Sequence, residues 1–220
     1  MTGSFVSPAT RRRVRDLATP IARALGRLGL SPNALTVIGF LGTCIAAFAA
    51  ANQAWLVAGV LVLAFGIFDL FDGALARATG RTSTFGAFLD SVLDRTGENL
   101  VYAGIAFGCA VAFYPLGVAA AVLALAFASV VTYARAKAEV VGLHGEVGFA
   151  PREVRLVVLS IGLVVCGLTG GVLPSGLLPL PPPEAGGNLA LVVALGLIAG
   201  LGAVTVLQRI LHVREQSMEG

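Results

Sequence analysis

Residues 55–75 read WLVAGVLVLAFGIFDLFDGAL. The run is long enough to cross a bilayer as a helix, which takes about 20 apolar residues. Yet it carries Asp69 and Asp72 near one end. A carboxylate at the centre of such a helix costs roughly 2.5–3.5 kcal/mol. Acidic groups persist there when they bind a cation or line a watery cavity. This stretch therefore points at once to a membrane-embedded fold and to a place where charge is handled.

Working outward, five further apolar runs surround it, so that six spans are expected at roughly 34–52, 55–75, 86–112, 115–136, 154–173 and 188–211. The breaks fall at Asn52-Gln53, at 78–84, at Tyr114-Pro115, at 139–151, and in the Pro/Gly-rich 174–187 segment, where Pro181-Pro182-Pro183 cannot continue a helix. The composition agrees. The chain is 57% hydrophobic and 12% charged, against about 25% charged for a soluble domain. Too little polar surface is present to cover a water-soluble globule. The expected fold is an all-α membrane protein of six transmembrane helices preceded by an amphipathic surface helix. Residues 1–30 are expected to form a cytoplasmic N-terminal segment and 31–220 the six-helix transmembrane domain. The surface helix is expected over about 10–28, where Leu17, Ile21, Ala24, Leu25 and Leu28 recur at helical spacing beside the arginines. No secretory leader is expected, because the first apolar run does not follow directly on a basic start.

Basic residues set the orientation. Arg11, Arg12, Arg13, Arg15, Arg23 and Arg27 precede the first span, Arg77 and Arg81 flank the second connection, and Arg135, Lys137, Arg152 and Arg155 flank the fourth. Arg209 and Arg214 lie at the C-terminal end, and the first, third and fifth connections hold no basic residue. Positive charge marks the cytoplasmic side. A multi-pass protein of the cell membrane with both termini cytoplasmic satisfies every one of these positions.

Five acidic residues lie inside or beside the spans: Asp69, Asp72, Asp90, Asp94 and Glu98. Asp69 and Asp72 are i and i+3, Asp90 and Asp94 are i and i+4, so each pair shares a helix face. The short connection between spans two and three predicts that these helices are antiparallel neighbours, and that four carboxylates meet at one depth near the cytoplasmic face. Four like charges so placed need cations. Oxygen-only donors favour hard divalent ions, Mg²⁺ first and Mn²⁺ next. Gly73 and Gly86 permit close approach to the backbone, and Arg77 offers a guanidinium to a phosphate oxygen. Metals beside phosphate-binding charge suit displacement at phosphorus.

The run Asp69-Leu-Phe-Asp72-Gly73-Ala-Leu-Ala76-Arg77, followed after eight residues by Gly86, after three more by Asp90 and after three more by Asp94, resembles the signature of the CDP-alcohol phosphotransferases, with all eight specified positions in register. The resemblance implies two divalent metal ions held by Asp69, Asp72, Asp90 and Asp94, a CDP-linked donor, release of CMP and a homodimer. By position it implies that Asp94 is the general base. It also implies that Asp69, Gly73, Ala76, Arg77 and Gly86 bind the CDP donor.

A second cluster bears on the acceptor. Tyr133-Ala-Arg135-Ala-Lys137-Ala-Glu139 ends the fourth span, Arg152 and Arg155 share a face at the start of the fifth, and Gln208-Arg209 lies near the end of the last. This much positive charge suits a phosphorylated acceptor rather than a neutral alcohol. The arrangement is similar to that of bacterial phosphatidylinositol-phosphate synthases, with Arg135 and Lys137 exchanged. It implies Arg135, Lys137, Arg152, Arg155 and Arg209 as acceptor-phosphate ligands, with CDP-diacylglycerol as donor and myo-inositol phosphate as acceptor. Glycerol 3-phosphate as acceptor and CDP-inositol as donor are the alternatives within the class. A cation transporter is the alternative outside it, disfavoured because no internal repeat is present and the carboxylates lie toward one face. No nucleic-acid partner is expected.

The remaining polar and special residues have simpler readings. Glu98 is expected to pair with Arg95 or to make a polar interhelical bond. Trp55 is expected to anchor at the membrane interface. Cys44, Cys109 and Cys166 read as small packing residues, not as a disulfide or metal framework.

Overall fold

The computed structural model describes residues 29–80, 82–175 and 186–219, together with Pro20, Ala24, Gly26 and Arg27. The described residues form six long helices and no strand: α1 (Pro32–Ala51), α2 (Trp55–Thr79), α3 (Thr84–Val111), α4 (Pro115–Val140), α5 (Arg152–Leu168) and α6 (Gly186–Glu219). The surface helix expected over 10–28 falls almost wholly outside the described residues. Four of the six, α1, α2, α4 and α6, are long and apolar enough to cross a membrane. Helix α3 has the length but carries Asp90, Asp94, Arg95 and Glu98 between its second turn and its midpoint. Helix α5 has 17 residues, about 26 Å at 1.5 Å per residue.

The helix boundaries have local causes. Ser31 caps α1, its hydroxyl oxygen accepting from the Ala34 N–H at 3.1 Å, and Pro32 follows where no N–H is needed. Ser83 caps α3 through the Gly86 N–H at 2.9 Å. Gly80, at φ 65°, stops α2 in the left-handed conformation that glycine adopts without strain. Helix α5 ends at Leu168 rather than near 173, because Gly170 and Gly171 both take positive φ. Helix α6 runs on past the expected end near 211, and its Gln216 side chain binds the backbone of His144.

The helices close into a ring in the order α1, α2, α5, α6, α4, α3 and back to α1. This corrects the expectation that the second and third helices are neighbours. Among the described residues, no Cα of α2 lies within 8 Å of one in α3. The physical reason lies in α1, whose small residues accept both. A Cβ on Gly104 or Gly108 of α3 would collide with the carbonyl oxygens of Ala47 and Ala50 of α1, and Phe65 of α2 fills the space left by Gly42. Each helix packs on α1 and presents its carboxylates across the gap between them.

Inside the ring, away from that gap, Tyr102, Ile105, Tyr114, Leu159, Leu163, Leu191, Leu195 and Ile198 are 0–1% exposed. The outside is apolar too, with Phe48, Phe107, Phe113 and Leu168 largely exposed. A continuous apolar exterior of this kind suits lipid contact. Trp55 is not at the periphery as expected. It is 2% exposed and sits in space left by Gly108 and Gly171. All three cysteines are free, and Cys109 and Cys166 are buried.

Candidate active site

Asp69 and Asp72 leave α2 on one face, and α1 receives them. The Thr36 hydroxyl donates to Asp72 Oδ2 at 2.8 Å, and Asp72 Oδ1 accepts from the Gly73 N–H. One turn further along α1, Gly39 makes room for Asp69. A Cβ there would stand 2.8 Å from Asp69 Oδ1. Asp90 and Asp94 leave α3 from the far side of the same gap.

Arg152, the first residue of α5, joins the two sides. Its Nη2 donates to Asp69 Oδ2 and its Nη1 forms an ion pair with Asp94 Oδ2, both at 2.7 Å. Asp72, Asp90 and Asp94 each stand near enough to another of these carboxylates for like-charge repulsion to act. A small cleft opens at this junction, lined by Thr36, Asp69, Asp94 and Arg152 among others.

The four carboxylates are thus gathered, but not into a closed cage. Among the described residues no three His, Cys, Asp or Glu side chains are grouped tightly enough to hold an ion. Asp72 is turned to Thr36, while Asp69 and Asp94 are held by Arg152. The donor set nevertheless fits a divalent cation. Asp69 and Asp94 face one guanidinium inside the cleft, Asp72 and Asp90 lie near enough for their charges to act on that pair, every donor atom is oxygen, and hard cations take such ligands.

The expected donor-binding residues lie on the last turns of α2 and the first of α3. The Arg77 guanidinium folds over Gly73, with Nη1 3.2 Å from where a Cβ would stand. The Ala76 carbonyl accepts the N–H of Gly80. Gly86 lies against Asn33 of α1, whose Oδ1 would be 3.0 Å from a Cβ.

Of the five expected acceptor cations, Arg152 is the one bound to the aspartates. Lys137 is exposed. Arg135 pairs with Glu139 at 2.9 Å and with Glu146. Arg209, 8% exposed, donates to the Val147 carbonyl at 2.9 Å and to that of Val131. It thereby ties the 141–151 connection to α4 and α6, with help from Thr205, whose hydroxyl oxygen accepts from the N–H groups of Phe149 and Ala150 at 3.1 Å each. Arg155 is 3% exposed and committed to Glu98. Glu98 therefore pairs with α5, whereas Arg95 turns to the Ser91 carbonyl of its own helix.

Thr36 is the contributor that sequence reasoning missed. A threonine in an apolar helix commonly satisfies itself on the carbonyl four residues back, and Thr36 does approach the Pro32 oxygen at 3.2 Å. Nothing local marked it as a partner of Asp72, 36 residues away.

A family model described as CDP-alcohol phosphatidyltransferase matches residues 29–198. The phosphatidylinositol phosphate synthase of Cutibacterium acnes is 37% identical over 198 residues, covering 89% of this chain and 91% of that protein. The crystal structure of the Mycobacterium tuberculosis phosphatidylinositol phosphate synthase in complex with manganese and citrate superposes with a TM-score of 0.75 at 33% identity, over 89% of this chain and 88% of that one. The same enzyme with CDP-DAG bound gives a TM-score of 0.74 at 32% identity, over 90% and 94%.

Proposed function

The chain belongs to the CDP-alcohol phosphatidyltransferase family, and from that premise we propose that it transfers the phosphatidyl group of CDP-diacylglycerol to a hydroxyl of myo-inositol phosphate, releasing CMP. The observation that carries this reading is the opposition of Asp69 and Asp72 on α2 to Asp90 and Asp94 on α3, with the Arg152 guanidinium between them. The similarity to phosphatidylinositol phosphate synthases over most of the chain supports the acceptor.

In this reading Asp69, Asp72, Asp90 and Asp94 hold two Mg²⁺ ions, with Mn²⁺ able to replace them, and the manganese in the related structure supports that class of ion. When bound, the metals polarise the pyrophosphate oxygens and offset charge on the leaving group. Thr36 holds Asp72 in place. Gly73, Ala76, Arg77 and Gly86, with Asp69, bind the CDP moiety. Asp94 takes the proton of the attacking hydroxyl. The hydroxyl oxygen bonds to the phosphorus that carries diacylglycerol, the bond from that phosphorus to the CMP oxygen breaks, and CMP departs with the electron pair. A carboxylate is a weak base, so the metal-bound setting would have to orient the hydroxyl and lower its pKa.

Arg135, Lys137 and Arg152 bind the acceptor phosphate. Arg155 and Arg209 serve the same pocket by fixing α5 and the 141–151 connection around it. Six spans, with both termini and the site on the cytoplasmic side, and assembly as a homodimer complete the proposal. The ring supports the six spans, since α3 and α5 stand in it beside the four long apolar helices.

The test is CMP release from CDP-diacylglycerol with Mg²⁺ in detergent, comparing myo-inositol phosphate with glycerol 3-phosphate. Release with myo-inositol phosphate is expected. Preference for glycerol 3-phosphate overturns the acceptor, and no CMP with either overturns the enzymatic reading.

A further inference from the structure

We propose that Arg152 is an exchange residue: its guanidinium holds Asp69 and Asp94 together until divalent cations displace it, and the freed guanidinium then takes a phosphate group of the substrate. The inference rests on the reading above that the aspartates hold the metals.

Three observations carry it. First, one planar cation neutralises carboxylates from two helices that do not touch, with 2.7 Å to each. That is the work a divalent ion would do at the same place, so Arg152 and a metal compete for the same oxygens. Second, the fork is incompletely satisfied. Arg152 Nε is buried with no hydrogen-bond partner among the described residues, and an orphaned buried donor is costly. A phosphate can accept from Nε and an Nη in parallel, which two separate carboxylates do not allow here. Third, the backbone at Arg152 is fixed by Pro151 at the start of α5, and α5 packs on α2 and α6. The exchange therefore needs only side-chain rotation.

Exchange has a thermodynamic signature. If metals release the guanidinium for phosphate, metal and phosphate must strengthen each other's binding by the same factor. While the fork persists, Asp94 Oδ2 is paired with Arg152. Metal loading would then release the phosphate ligand Arg152 from both carboxylates in one event.

The experiment measures Mn²⁺ affinity of the purified protein in detergent by the electron paramagnetic resonance signal of free Mn²⁺. Wild type and Arg152→Gln are each titrated with and without myo-inositol phosphate, with Asp90→Asn as a control on the site. Without substrate, Arg152→Gln should bind Mn²⁺ about tenfold more tightly, as loss of one charge-assisted pair implies. Myo-inositol phosphate should tighten Mn²⁺ binding in wild type and not in Arg152→Gln. Arg152→Lys, which keeps the charge but cannot bridge both carboxylates, should fall between, and it carries the test if Arg152→Gln does not fold. Equal or weaker Mn²⁺ affinity in the variants overturns the exchange, and so does coupling that survives loss of the guanidinium. Absence of saturable Mn²⁺ binding in wild type, or binding indifferent to Asp90→Asn, overturns the metal assignment itself and this inference with it.

Discussion

Arg155 reaches Glu98 across the interior of the ring, Nε to Oε1 and Nη2 to Oε2, both at 2.8 Å. The two helices that carry them, α5 and α3, have no Cα pair within 8 Å among the described residues. Both side chains are almost fully buried. The Ala150 carbonyl accepts from Arg155 Nη1 at 2.8 Å, and the Tyr102 hydroxyl donates to Glu98 at 3.3 Å. This satisfied pair sits one turn of α3 beyond Asp94 and one turn of α5 beyond Arg152, and it sets the spacing of the two walls on which those residues stand.

Removing one member of a buried pair strands the other as an uncompensated charge, which costs about 3–5 kcal/mol. Glu98→Ala and Arg155→Ala should each lower the thermal unfolding temperature in detergent by the equivalent of that loss. The double substitution Glu98→Met with Arg155→Met should recover much of it, because no buried charge remains. Equal loss in the single and double variants would contradict the pairing as the source of stability.

Thr36 orients Asp72 through its hydroxyl. Loss of a residue that holds a ligand carboxylate commonly lowers metal affinity or activity roughly 10–100-fold. Thr36→Val keeps the shape and should reduce CMP release within that range at unchanged expression and unfolding temperature. Thr36→Ser should retain most activity. Full activity in Thr36→Val would remove the hydroxyl from the account.

Asp90 stands on α3 one turn before Asp94, and the proposed function makes it a metal ligand. Asp90→Asn keeps the volume and removes the charge, so CMP release should disappear while expression remains largely intact. Excess Mg²⁺ should not restore it. Retained activity would exclude Asp90 from the metal ligands.

Much of the architecture was legible because its signals are local. Apolar runs separated by Asn52-Gln53, Tyr114-Pro115 and the 139–151 segment placed all six helices. The i, i+3 and i, i+4 spacings correctly placed each aspartate pair on one helix face. The short 80–83 connection misled, because loop length predicts adjacency only when the facing surfaces can pack. Here α1 supplied the small surface that both α2 and α3 prefer. Arg155 misled similarly. A cation three residues from a phosphate ligand candidate looks like another ligand, but its partner Glu98 lies 57 residues away.

The amino-acid order alone determined the membrane class, the helices and the chemical character of the site, because hydropathy, helical periodicity and acidic residues in apolar runs act within a few turns of chain. Only the tertiary structure decided which charge meets which. Ring closure brings Arg152 to Asp69, 83 residues away, and seats Thr36 on Asp72. Those pairings depend on the order of helices around the ring, and no local period in the chain encodes that order.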